Sequence, residues 1–193
     1  MSRTKDFDEE AVLNKALQLF WTKGYAATSA QDLVDALGIS RSSLYDTFTD
    51  KRNLYIRALE QYRQQKTGAM VEMIDTATDI EQLIRDMLKF VTSESIHDKQ
   101  TKGCFMVNAT IELAPQDKEI TAIINHNIQE VEDALTRAVK RGQESGQVSA
   151  HHAPRAIARF IYNTISGLRV TAKSGADKKV LDDIVKVSMG VVG

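Results

Sequence analysis

A single cysteine and two prolines are all that 193 residues contain of either type. One cysteine excludes an internal disulfide framework, and with no signal peptide evident it points to the reducing cytoplasm. Two prolines, ten glycines and few long β-branched runs leave little to interrupt helices, so the chain is expected to be all-α. No apolar run approaches the ~20 residues needed to span a bilayer, which predicts a soluble protein without a membrane partner. An excess of basic charge is also missing: 25 Lys and Arg stand against 26 Asp and Glu, and the first 57 residues balance eight against eight. Contact with a polyanion would therefore depend on where charges sit and not on their sum. No glycine-rich phosphate loop appears, and His97, His126, His151 and His152 show no zinc spacing with the lone cysteine. Neither a metal nor an organic cofactor is expected. Enough remains for a sizeable core, since 42% of the residues are hydrophobic.

What is present begins at Thr28–Lys51, TSAQDLVDALGISRSSLYDTFTDK. Thr28 and Gln31 have capping-box spacing, so a helix is predicted to start near Ser29. Ala30, Leu33, Val34 and Leu37 share its inner face, and Gly38 stands where the chain must turn left-handed to leave it. Ile39 plugs the turn and Ser40 caps a second helix, in which Leu44 and Phe48 point inward. Arg41, Ser42, Ser43, Asp46 and Thr47 are left on the outer face, a set of small polar and charged side chains suited to base edges and phosphates. A helix, a glycine turn and a helix also occur as plain packing hairpins. Here, however, Val12, Leu13, Ala16, Leu17 and Phe20 precede the pair, with Trp21 and Tyr25 at the edge. Leu54, Tyr55, Ala58, Leu59 and Tyr62 follow it, so a three-helix core can close.

The order Phe20, Gly24, Tyr25, Thr28, then Gly38, Ile39, Ser40, Leu44, Tyr45, Phe48, Lys51 and Leu54 resembles the TetR/AcrR family of transcription regulators. The match covers about the first third of the chain. Where many members carry a glycine and a tyrosine-histidine pair, this chain has Ser42 and then Asp46 and Thr47. The resemblance implies a helix-turn-helix DNA-binding domain over residues 1–52 and a ligand-binding and dimerisation domain over 53–193, about nine helices in all. It implies double-stranded operator DNA as a partner, read by Arg41, Ser42, Ser43, Tyr45 and Thr47. Lys51 is expected on a phosphate, Thr28 and Ser29 at a helix N-terminus that faces the backbone, and Arg3 and Lys5 in an N-terminal arm.

Beyond Tyr62 the pattern is purely helical, and no second DNA-binding motif or repeat appears. The fourth helix is predicted to run to about Thr76, weakened at Gly68, and a fifth to start at Asp79. An apolar run over 103–114 ends at Pro115; long helices are expected over 117–144, 154–172 and 177–191. The last two are more apolar than a monomer's single face requires, and in the family such helices pair into a four-helix bundle. Phe160, Ile161, Thr164, Ile165, Leu168, Leu181, Ile184, Val185 and Ser188 are the expected homodimer interface. The segment Gly167, Leu168, Arg169, Val170, with Lys173 and Gly175, also looks like one branch of the family.

A small-molecule effector is expected in the middle of the chain. Met70, Met73, Met87, Phe90 and Phe105 offer deformable apolar walls, though methionine at helical spacing is also ordinary core. Asn108, Glu112, His126 and Asn163 are polar residues placed to converge on a cavity, Glu112 having the outer face of its helix as its alternative. Cys104, behind Lys102 and Gly103 at a helix start, is either a small core residue or a thiol responsive to oxidants and electrophiles. An enzyme built on Cys104, His126 and Glu112 lacks any motif that fixes their spacing, and a bare helical interaction module is the remaining alternative. The reading that absorbs most of the residues is a homodimeric, ligand-released repressor on a palindromic operator.

Overall fold

The computed structural model describes residues 7–97 and 102–193, the side chains of 95–97 excepted. Arg3 and Lys5 of the expected arm, and the His97 side chain, lie outside the described residues. Among the described residues there are nine helices and no strand. These are α1 (Glu9–Lys23), α2 (Ala30–Leu37), α3 (Arg41–Phe48), α4, α5 (Ile80–His97), α6 (Phe105–Glu112), α7 (Lys118–Glu144), α8 (Pro154–Lys173) and α9 (Lys178–Met189). Helix α4 is continuous in three parts: Lys51–Tyr62, a π-helical turn Arg63–Thr67, and Gly68–Thr76. None of the described helices is long and apolar enough to cross a membrane.

Caps explain most boundaries. Asp8 accepts the amides of Glu10 and Ala11, Ser40 that of Ser43, Asp50 that of Asn53 and Asp117 those of Glu119 and Ile120. Helix α2 corrects the predicted capping box by one residue: Ser29 and Asp32 cap it reciprocally, while Gln31 turns to Asp35. Thr28 is excluded because its hydroxyl donates back to the Gly24 carbonyl at 2.6 Å and is fully buried. Gly38 leaves α2 at φ 70° and ψ 29°, the left-handed cap predicted for it.

The helices close two cores. The first holds Phe20, Leu33, Leu44, Phe48 and Tyr55 from α1 to α4, and also takes in Phe105, Met106 and Ala109 of α6 and Ile120, Ile123 and Ile124 of α7. Each large side chain removed from water there contributes about 1.5–3 kcal/mol. Edge-on aromatic contacts bind the two parts together: Phe105 meets Tyr55 at 5.3 Å and Tyr62 at 5.7 Å, and Tyr55 in turn meets Phe20 at 5.1 Å. Phe105 is thus core and not an effector wall. The second core joins α5, the later turns of α7, α8, α9 and the end of α4. The irregularity in α4 lies between the two. It precedes Gly68, where the weak point was expected, and its buried Thr67 donates to Asn127 of α7 at 2.5 Å.

This second core also accounts for most of the expected dimer residues. Ile161, Ile165, Leu168, Leu181, Val185 and Ser188 are buried inside the subunit. They hold α8 and α9 to their own body and are not available to a mate. Thr164 and Ile184 are half-buried. The faces left open carry Phe160, Asn163 and Gly167 on α8 and Val180 and Val187 on α9, Val187 being 76% exposed.

Candidate functional site

Helix α3 presents the candidate nucleic-acid surface because Leu44 and Phe48 anchor its opposite side. Arg41, Ser42 and Asp46 are exposed, and Ser43, Tyr45 and Thr47 are half-buried. The Arg41 guanidinium rests 5.9 Å from the Tyr45 ring, and no ion pair engages it among the described residues. Around the N-terminus of α3 the Ser40 hydroxyl lies 2.9 Å from that of Ser42 and 2.8 Å from that of Ser43. Small hydroxyls and a free guanidinium suit a groove or a phosphate run. Ser29 is exposed at the start of α2, its hydroxyl turned to Asp32.

Two expected backbone contacts are corrected. Thr28, buried, offers its side chain to nothing outside. The Lys51 ammonium faces inward, donating to the carbonyls of Tyr25 (2.8 Å) and Thr28 (2.7 Å) above the Tyr25 ring at 4.2 Å. It closes the α1–α2 loop in place of reaching a phosphate. Next to it, Arg52 forks onto Asp117 at 2.6 and 2.8 Å and also reaches Glu119. Those hydrogen bonds pull the Asp117 carboxyl down to about 2, below the usual carboxylate range.

Further ties run between the N-terminal helices and the body. Glu112, at the last turn of α6, accepts the backbone amides of Tyr25 (3.1 Å) and Ala26 (2.7 Å). Gly24 sets the course of this loop, since its φ of 85° is a conformation that side-chain-bearing residues rarely adopt. The Trp21 indole donates to the Gly103 carbonyl at 3.0 Å. None of these partners was singled out as a pair from the sequence. Glu112 resolves its two alternatives by taking neither fully: it faces the α1–α2 loop and borders a cleft.

That cleft, about 460 Å³, lies between the end of α1, helix α6 and the end of α8. It brings together three of the expected effector residues, Cys104, Asn108 and Glu112, and adds Val107, Ile111, Arg169, Val170 and Lys173. The half-buried Cys104 lies 3.7 Å from the Tyr62 hydroxyl, whose pKa burial raises well above its ordinary value. The remaining candidates do not converge on it. Met87 is in the second core and Met70 packs on its edge. Met73, 46% exposed, and Phe90, 62% exposed, face solvent, because the inner face of each helix is taken by Ile74 and by Met87 with Val91. Asn163 is on the open side of α8. His126 is exposed beside Glu130 at 3.5 Å, so no triad with Cys104 and Glu112 exists. No group of three or more potential metal ligands occurs among the described residues.

Comparison with known proteins fits this geometry. The family model for bacterial regulatory proteins of the tetR family matches residues 12–58, and that for the tetracyclin repressor-like C-terminal domain matches residues 78–187. The chain is 33% identical, over the full length of both, to the uncharacterized HTH-type transcriptional regulator YezE of Bacillus subtilis (strain 168). It is 28% identical to the HTH-type transcriptional repressor ComR of Escherichia coli (strain K12), covering 97% of this chain and 90% of ComR. Among solved structures, a cysteine mutant of the TetR family regulator CifR complexed with 26bp double-strand operator DNA superposes with a TM-score of 0.84 at 23% identity, covering 100% of both chains. Reduced E. coli NemR does so at 0.86 and 16% identity, covering 95% of this chain and 96% of NemR. With family matches on both halves and a relative aligned from end to end, the chain belongs to the TetR family of DNA-binding transcription regulators, and is not an enzyme.

Proposed function

We propose that the chain is a homodimeric repressor in the cytoplasm that holds a palindromic operator and releases it when a small molecule binds. One observation carries the reading: the 460 Å³ cleft is walled by both the DNA-binding helices and the body, so an occupant alters how one sits on the other. An effector acts if it binds the DNA-incompetent arrangement more tightly, and operator affinity then falls by that difference. Dimerisation is supported by the open face of Phe160, Asn163 and Gly167 on α8 and Val180 and Val187 on α9, where a monomer leaves Phe160 and the two valines wet. A mate there sets two reading helices at a fixed spacing, as a palindrome requires. Arg41, Ser42, Ser43, Tyr45 and Thr47 are its proposed base-side contacts, with Ser29 toward the backbone. The relative ComR is itself named a repressor. Footprinting across the DNA flanking the gene tests the proposal. A protected palindrome, lost at high salt, is expected; no protected site at low salt overturns it.

A second reading has its own support. Cys104 borders the same cleft, half-buried beside the Tyr62 hydroxyl. Modification of its thiol by an electrophile would add bulk where a reversible ligand would sit. Loss of operator binding on alkylation, absent in Cys104→Ser, is the expected outcome of that reading.

A further inference from the structure

We propose that the cleft between α1, α6 and α8 binds a small amphiphilic organic anion, a carboxylate with a hydrocarbon tail. The inference rests on the ligand-responsive reading and names its ligand class. Charge is the first argument. Three cations line the cleft, Lys23, Arg169 and Lys173, against one carboxylate, Glu112, which already accepts two backbone amides. Lys23 is paired with Asp32 at 2.6 Å and Arg169 with Glu94 at 3.0 Å. Lys173 has no such partner among the described residues. Among the described residues its ammonium donates only to neutral oxygens, Asn108 Oδ1 at 3.0 Å and the Lys102 carbonyl at 3.3 Å. Lys102 is in the same condition beside the cleft, donating to Gln18 Oε1 at 3.0 Å and resting 5.5 Å from the Trp21 ring. Two ammonium groups at one mouth, both satisfied by neutral acceptors, gain more from a carboxylate than from any neutral ligand. A cationic ligand meets repulsion from both and finds Glu112 occupied.

The second argument is the exposed hydrocarbon beside them. Ile111 is 67% exposed and Val170 44%, unusual for branched aliphatic side chains on helices that otherwise bury theirs. Both line the cleft, with Val107 and the Trp21 ring continuing the apolar wall. A tail laid on Ile111 and Val170 covers surface that is otherwise wet, while its head group reaches Lys173. The volume suits a small organic molecule and not a macromolecular segment. An anion there also sits near Glu112 and repels it, which loosens the grip of α6 on Tyr25 and Ala26 and hence on the loop ahead of α2.

Trp21 is the chain's one tryptophan and lines the cleft, so its fluorescence reports occupancy without DNA. Octanoate, octylamine and octanol are the probes. Octanoate is expected to give a saturable change, and octylamine none. Lys173→Met should weaken octanoate by about tenfold, and Ile111→Ser by severalfold, with thermal melts of both exposed-site variants unchanged. Equal binding of octanol or octylamine, or octanoate binding indifferent to both substitutions, overturns the proposal. Operator release is read separately by anisotropy of labelled DNA. Lys173-dependent octanoate binding that leaves operator affinity unchanged supports the site and sinks ligand release by it. Release by some other compound, with no octanoate signal at Trp21, preserves the regulator and discards this site.

Discussion

Lys51 shows how a residue type and a position can suggest one role while the geometry assigns another. A lysine at the start of a helix beside the reading helix is a natural phosphate ligand, yet its ammonium is spent on the Tyr25 and Thr28 carbonyls. Lys51→Ala is therefore expected to cost about 1–2 kcal/mol of stability by freeing a partly buried loop, with the salt slope of operator binding unchanged. Arg41→Ala should do the reverse, lowering operator affinity and the slope while melting as the wild type does. Parallel salt titrations and melts of the two variants check both. Glu112 is the companion case from the body side. Its removal in Glu112→Ala leaves the Tyr25 and Ala26 amides without their acceptor, a loss of about 1–3 kcal/mol that Glu112→Gln should partly recover. Urea unfolding of the pair against wild type measures it.

At the scale of elements, the helices were legible because their signals are local. Apolar spacing, Ser40, Asp50, Asp117 and Pro154 at helix starts and Gly38 at an end all act within a few residues. Which face of a helix meets which neighbour is a different kind of information. Met73 and Phe90 look like pocket walls by type and turn out to face solvent. The clamps escaped notice because their partners are far apart in the chain: Glu112 is 86 residues from Ala26, and Asp117 is 65 from Arg52. The same gap hid that Ile161, Ile165 and Leu168 of α8 are taken up by their own subunit, since only packing tells inside from outside. Two substitutions separate them. Val187→Glu, on the open face, should shift sedimentation from dimer to monomer with helicity intact, and weaken operator binding. Leu168→Glu, inside the second core, should instead unfold the body, seen as a lost cooperative melt.

The whole molecule is two cores spanned by α4 and α7, and at the first of them Arg52 of α4 is tied to Asp117 at the start of α7. Hydrogen bonds from Arg52 hold the Asp117 carboxyl at about 2 in the folded protein. The unfolded chain titrates it at about 3.9. A carboxyl whose pKa is depressed on folding adds stability that is fully present above the unfolded value and is lost as pH falls through the folded one. The contribution should therefore be level at neutral pH and decline between about pH 5 and 2. Asp117 also caps α7 through the amides of Glu119 and Ile120, a task that asparagine performs about as well. Asp117→Asn consequently removes the charge and keeps the cap. Urea unfolding across pH should show the variant less stable than wild type at neutrality, with the difference shrinking as the wild type is acidified. No difference between the two at any pH would mean that Asp117 acts through its cap alone, and that Arg52 is held to the body by Glu119.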